Sequence, residues 1–475
     1  MWRRPTTLII SLIAGIVACG CAEIAFIFGS GIAPAGGATS QATGTTSGGT
    51  VTLNGQIPTA TQPAAIPAPT YRPSLLDPLF ESTSGAKGVV IVDIDGDGVL
   101  DVASISAESQ PVQIHLRNTT TGLFDTISIG GGAPLSKTVD IEAGDFNGDG
   151  RVDFAVLVID TGFVPPPNSA LLGALCLLIQ GPDARNKFLW TRVDLVFKGT
   201  DDPGFVDIAV GDFDGVNGPD ILLVSNEVQQ APNTPFRFVY LYTNPGGANA
   251  FDPTLWTETT IVNEAAPLAF AIPADIDLDG DLDMVVAAPT AKSFNVRWMQ
   301  NPLNPGGVGA VTNGAAWGLR MVGQQDGGAQ FIAVGDIDGD GDLDVAASRV
   351  DLRLTQWFRN PGPADLAAER HSIPWDVFNI GVLSSGDINQ LQLVDLDLNG
   401  TLDVMVTASG NIAAFQRQAN LEDYWTPFSI LATNPVAVIG KIGFADFDGN
   451  GRLDFLAPLD RPGLTQDQFV IFSRQ

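Results

Sequence analysis

Histidine is nearly missing from this chain, with two residues in 475, and cysteine is almost as scarce, with three. His115 and His371 are too few for a histidine-rich metal or redox centre. Cys19 and Cys21 lie in the first segment, which leaves Cys176 alone and no internal disulfide to staple a domain. Cys176 stands in the run Leu175-Cys176-Leu177-Leu178 and is expected in the core rather than as a nucleophile. Basic residues are few as well: 24 Lys plus Arg against 53 Asp plus Glu give a net charge of -29. That balance excludes a sequence-independent grip on nucleic-acid phosphates and a polybasic attachment to anionic lipid. Charged residues make up only 16% of the chain and hydrophobic ones 45%, enough for a packed core, so the acidity must be concentrated locally. The 53 Gly and 32 Pro disfavour long helices and suit short strands joined by many turns. There is no Gly-x-Ser-x-Gly elbow, no His-Glu-x-x-His zinc helix and no Gly-Lys-Ser/Thr phosphate loop.

Residues 1–21 read as a leader. Arg3 and Arg4 precede an apolar run from Leu8 to Ala18, the charged and hydrophobic regions of a secretory signal, so export is expected. Ile16-Val17-Ala18-Cys19 resembles a bacterial lipobox, in which Cys19 would carry a lipid and tether the protein to a membrane. Two alternatives stay open: a simple signal cut before Glu23, and an uncleaved anchor extended by Ile24 to Phe28. Residues 22–73, rich in Gly, Ala, Thr, Ser, Pro and Gln, are expected to be a linker, because they cannot bury enough apolar surface to offset their ordering entropy.

A nine-residue acidic loop recurs through residues 74–475, beginning at Asp93, Asp145, Asp212, Asp275, Asp336, Asp395 and Asp446. These loops hold about half of all the acidic residues, so the charge and the repeat are one phenomenon. The fullest copy places side-chain oxygens at positions 1, 3, 5 and 9: Asp336, Asp338, Asp340 and Asp344. Carboxylates this close repel one another unless a hard cation lies between them, and Ca2+ prefers six to eight oxygens. Gly341 would allow the sharp turn around the ion, with the Asp342 carbonyl as a further donor and Ile337 and Leu343 facing the core. The same set is met by Asp93, Asp95, Asp97 and Asp101, and by Asp275, Asp277, Asp279 and Asp283. Asn replaces one acid in Asp145, Asn147, Asp149, Asp153; in Asp395, Asp397, Asn399, Asp403; and in Asp446, Asp448, Asn450, Asp454. The third copy, with Asp212, Asp214 and Asp220, departs: Val216 stands where a ligand belongs, and Asn217 compensates only if the register shifts by one. Up to seven Ca2+ ions are expected, with the site at Asp212 in doubt.

An EF-hand also begins Asp-x-Asp-x-Asp-Gly but needs a Glu at its twelfth position and flanking helices. Here the twelfth positions are Ser104, Val156, Leu223, Val286, Ala347, Val406 and Ala457, and the flanks are short and β-branched, such as Val89-Val90-Ile91-Val92. Strand, calcium loop, strand is the expected unit. A third strand follows in Ile114 to Asn118, Tyr240 to Asn244, Arg297 to Asn301 and Gln356 to Asn360, and a fourth in Leu123 to Ile129, Leu255 to Val262 and Trp425 to Leu431. Such four-stranded sheets bury their faces by stacking radially, which predicts an all-β, seven-bladed propeller.

These motifs resemble the FG-GAP or VCBS repeat family, the integrin-α-like propellers. The resemblance covers residues 74–475, with six clean copies of the loop and one degenerate copy. It implies calcium ions bracing the loop between the first two strands of each blade, and it does not imply catalysis. After Asp454 only one further strand is evident, Gln468 to Ser473, so the segment Ser74 to Phe80 is expected to supply the missing fourth strand and clasp the ring. Trp190, Trp256, Trp298, Trp317, Trp357, Trp375 and Trp425 track the repeat, which favours packing between blades over a carbohydrate-stacking surface.

The leading expectation is a non-enzymatic, exported, calcium-stabilised module that binds or adheres to an extracellular protein or glycan. It would not engage nucleic acid, and it would meet a membrane only through its N-terminal lipid or anchor. The rival is a secreted polysaccharide lyase or hydrolase built on the same fold, for which Glu142, Glu227, Glu264 and Asp326 are the non-repeat acids to locate.

Overall fold

The computed structural model describes residues 44–46, 49–51, 71–76, 86–106, 112–130, 138–160, 172–199, 205–225, 237–264, 268–288, 295–323, 328–349, 353–367, 374–383, 388–408, 411–422, 424–432, 438–460 and 468–475. The leader, the lipobox cysteine Cys19 and His371, Glu227 and Asp326 lie outside the described residues, as does the side chain of Glu264.

Seven antiparallel sheets follow one another along the chain. Blade 1 is typical: Ala86–Val92, Asp101–Ser106, Val112–Arg117 and Phe124–Ile129 pair in that order. Blades 2 to 6 start at Thr138, Phe205, Phe270, Ala329 and Ile388 and repeat the order. The first strands of successive blades pack against one another around the ring. Second strands such as Asp101–Ser106, Asp220–Ser225 and Asp403–Ala408 are buried at every residue, because a neighbouring blade covers each of their faces; hence their continuous apolar runs rather than alternation.

No blade has a core of its own. Seven apolar clusters occupy the seven interfaces between neighbours. Ile114 of blade 1 meets Val156 and Cys176 of blade 2, and Leu456 and Ile471 of blade 7 close the circle on Val89 and Val102 of blade 1. Burying each aliphatic side chain there is worth about 1.5–3 kcal/mol. Cys176 is fully buried, its thiol pushed up to about 12 by that burial, consistent with a core residue.

The clasp is present, with shifted limits. Tyr71–Leu75 pairs antiparallel with Gln468–Arg474 and completes blade 7 as its fourth strand. The strand therefore starts before residue 74, where the ring was expected to begin, and residues 77–85 lie outside the described set. A short hairpin, Gly44–Thr46 with Gly49–Val51, also falls within the stretch expected to be linker throughout. The first strand of blade 7 is broken into Val438–Ile439 and Gly443–Ala445, with Lys441 at the break.

All seven repeat-tracking tryptophans are buried. Trp256 of blade 3 packs on Phe146 of blade 2, and Trp317 of blade 4 on Phe213 of blade 3. Three of them share one anchor: the indole N–H of Trp190, Trp256 and Trp317 donates to the carbonyl six residues earlier, at Ala184, Ala250 and Val311. These rings serve packing between blades and offer no face to a sugar.

Candidate metal centres

Each acidic loop joins the first strand of a blade to the second, so all seven emerge at the same end of the ring. Positions 4 and 6 of every loop are left-handed, and Gly218 adds a third such residue in the degenerate copy. Position 6, the glycine singled out at Gly341, has φ +95° there, and Asn217 takes that place in the degenerate copy at +68°. Position 4 is also left-handed, a feature the sequence reading missed: five copies use glycine, but Leu278 and Leu398 adopt φ of 56° and 60°. These two reversals fold the backbone N–H groups inward. The first aspartate gathers them: in blade 1, Asp93 accepts from Gly96, Asp97 and Gly98 at 2.9, 3.1 and 2.8 Å. Asp336 and Asp446 repeat the arrangement. Position 2 points the other way, into the core, with Ile94, Phe146, Phe213, Ile276, Ile337, Leu396 and Phe447 all buried.

The ninth aspartate does more than face the loop. Asp101, Asp153, Asp220, Asp283, Asp344, Asp403 and Asp454 are at most 1% exposed, and each divides its two oxygens between two backbone segments. One oxygen accepts the N–H of position 2 in its own loop, for example Ile337 to Asp344 at 2.9 Å. The other accepts an N–H at the end of the third strand or just beyond it, for example Asn360 to Asp344 at 2.8 Å. The same pair of bonds recurs in every blade. Burial raises these carboxyls, Asp220 to about 8 and Asp283 to about 9, despite the N–H donors that oppose it.

Ligand atoms converge in five loops. One oxygen from each member lies within 4.8 Å of the others in Asp93, Asp95, Asp101; Asp212, Asp214, Asp220; Asp275, Asp277, Asp279; Asp336, Asp338, Asp344; and Asp446, Asp448, Asp454. The third copy is thus among them in spite of Val216. In blade 2, Asn147 Nδ2 and the Arg151 guanidinium both turn toward Asp149, and in blade 6 Gln416 Nε2 donates to Asp397 at 2.7 Å. The donors are hard oxygens throughout. Asp95 Oδ1, Asp277 Oδ1 and Asp281 Oδ1 are buried with no hydrogen-bond donor, an arrangement costly for a carboxylate and relieved by a hard cation. The residues therefore fit a calcium ion. Blades 4 and 5 offer the fullest sets, since Asp281 and Asp342 at position 7 each add a fifth carboxylate that the sequence reading left out.

A separate ionic cluster lies at the centre of the ring. Lys441 of blade 7 ion-pairs with Glu142 and, at 3.6 Å, with Asp140, both on the first strand of blade 2. Blade 1 lies between these blades around the ring, so the contact crosses the inside of the circle. Asp207 of blade 3 joins the cluster; burial and the Asp140 charge push its carboxyl well above the ordinary range. Backbone bonds fix the same spot: Lys441 N donates to the Lys87 carbonyl at 2.9 Å, and Ile442 N to Gln390 Oε1 at 3.0 Å. On the opposite side Phe270 and Phe331 pack at 5.1 Å between centroids. Glu142, one of the acids worth locating, thus belongs to a structural knot contributed by several blades. Nothing local in the sequence connects residue 441 with 140, 142 and 207.

Residues 93–156, the loops of blades 1 and 2 and the strands between them, match the family model described as an FG-GAP-like repeat. The chain is thus a seven-bladed propeller that carries an FG-GAP-like repeat across its first two blades. Among solved structures, the chain is similar to BBS1N in complex with ARL6DN, soaked with lead, at 11% identity and TM-score 0.46, covering 84% of this chain and 95% of that one. It is also similar to Bacillus licheniformis rhamnogalacturonan lyase PL11, at 14% identity and TM-score 0.43, covering 85% and 76%. No curated protein matches the sequence.

Proposed function

We propose that this chain is an exported, calcium-stabilised propeller that acts as a binding or adhesion module for an extracellular protein or glycan. Calcium is supported above all by the orphaned Asp277 Oδ1 and Asp281 Oδ1, buried inside a loop of five carboxylates. Bound calcium would supply charge neutralisation, with Asp275, Asp277, Asp279 and Asp283 as its holders in blade 4 and the matching residues in the other blades. Seven divalent ions would roughly halve the net charge of -29. The leader supports placement at the cell surface through a lipid on Cys19, or release to an extracellular or periplasmic space.

One observation favours the rival, a secreted polysaccharide lyase or hydrolase: Asp140, Glu142, Asp207 and Lys441 are titratable groups outside the repeat that converge on the ring centre. Against it, Lys441 is already paired with two of the acids. The two readings separate in a glycan array run with and without calcium, beside an activity screen on polysaccharides. Calcium-dependent capture without turnover supports the binding module. Turnover abolished by Glu142→Gln would replace that reading with the enzyme.

A further inference from the structure

Blades 4 and 5 carry the same five acids at the same loop positions: Asp275, Asp277, Asp279, Asp281, Asp283 and Asp336, Asp338, Asp340, Asp342, Asp344. They differ in the residue that ends the third strand and reaches back to position 3. In blade 4 this is Gln300, whose Nε2 donates to Asp277 Oδ2 at 2.5 Å. In blade 5 it is Arg359, whose Nε lies 2.7 Å from Asp338 Oδ2 as an ion pair without an aligned N–H. Blade 6 follows blade 4, with Gln416 on Asp397. The Arg359 guanidinium is held in place over the Trp357 and Phe378 rings, 5.4 and 5.0 Å from their centroids, and those rings stack on each other at 4.8 Å. A second guanidinium, Arg417 of blade 6, donates to the Asp338 carbonyl at 2.9 Å. In blade 4 Arg320 stops one amide short and bonds Gln300 Oε1 at 2.8 Å. Between these two blades, Asp277 and Asp281 keep orphaned buried oxygens whereas Asp338 and Asp342 do not; Asp95 of blade 1 keeps one although Arg185 pairs with its other oxygen.

We infer that Arg359 is a tethered competitor for the cation, so that the loop of blade 5 is compensated from within and binds a divalent ion less tightly than the loop of blade 4. This rests on the calcium reading above and assigns a different affinity to two loops with the same acids. A full positive charge placed on a ligand carboxylate opposes a divalent ion by Coulomb repulsion and by occupying one oxygen, an effect of about tenfold or more in affinity at protein-surface dielectric.

The test is a reciprocal exchange in the full chain, stripped with EDTA and titrated calorimetrically with Ca2+. Arg359→Gln gives blade 5 the residue of blades 4 and 6 and should tighten one site about tenfold. Gln300→Arg should weaken one site by a similar factor, the double exchange should restore the wild-type profile, and Arg359→Lys should stay near it. Without metal the signs reverse: Arg359→Gln should lower the melting temperature and Gln300→Arg raise it. Binding constants that stay put, or that move in the same direction in both single variants, overturn the inference while leaving the calcium reading intact. A wild-type chain that takes up no calcium overturns both.

Discussion

The side-chain amide of Asn301 donates to the Phe213 carbonyl at 2.9 Å, so blade 4 holds the acidic loop of blade 3 at its second position. The link is repeated: Asn244 reaches Phe146 in blade 2, Asn360 reaches Ile276 in blade 4, and Arg117 reaches Phe447 in blade 7. The N–H of each contacted residue is in turn held by the ninth aspartate of its loop. Loop and neighbouring blade are therefore one hydrogen-bonded unit. Asn301→Ala should cost about 2–3 kcal/mol, because it strands the Phe213 and Leu282 carbonyls as well as removing their donor. Urea unfolding at fixed calcium measures this; a loss below about 0.5 kcal/mol, the scatter of surface substitutions, would show the link to be idle.

The ninth aspartate should matter even without metal. Asp344→Ala removes the acceptor of two buried backbone N–H groups and should destabilise the EDTA-treated chain by about 3 kcal/mol. Asp340→Ala, at an exposed position accepting Asp342 N from its own loop, should cost under about 1 kcal/mol in EDTA and show its effect only once calcium is added. No loss for Asp344→Ala in EDTA would mean that the ninth position serves the metal alone.

Asp207→Asn should stabilise the protein at neutral and alkaline pH. The Asp207 carboxyl is raised in the folded state, so its contribution is fully present below the ordinary carboxylate pKa and is lost as pH rises through the raised value. The asparagine keeps an acceptor for Ala271 N without the charge facing Asp140. The melting-temperature gain over wild type should therefore open with rising pH and vanish in acid. A gain independent of pH would remove Asp207 from the ionic cluster.

Leu398→Gly should be neutral or stabilising by up to about 1 kcal/mol, an unusual outcome for removing a leucine. The residue sits at φ 60° and is 54% exposed, so relief of the left-handed strain outweighs the small loss of packing. Thermal melts at saturating calcium would decide it, and a clear loss of stability would show that the exposed side chain packs more than its accessibility indicates.

A chain starting at residue 77 should melt several degrees below the full chain and aggregate, since it leaves Gln468–Arg474 as an uncovered edge. A chain starting at residue 65 keeps Tyr71–Leu75 and should behave as the full chain does.

The repeat, the number of blades and the clasp were legible because they depend on short-range spacing: aspartates two residues apart, β-branched flanks and a missing fourth strand after Gln468. The double use of Asp344 was not, since its second partner, Asn360, lies a full hairpin away. Gly339 and its counterparts carried the signal for the second left-handed turn, but Leu278 and Leu398 at the same position concealed it. Arg359 read as an ordinary strand end, because only the folded hairpin brings it to Asp338. The knot around Lys441 depends on ring closure itself, which places residues some three hundred positions apart in contact.

The antiparallel register of Tyr71 with Arg474 through Leu75 with Val470 also has a mechanical consequence. Any tension transmitted from residue 70 enters the ring at Tyr71 and is borne first by five pairs of residues, before it reaches the six blades made from continuous chain. Under load the molecule would yield at blade 7, and its resistance to pulling would be set by that short seam rather than by the stability of the whole.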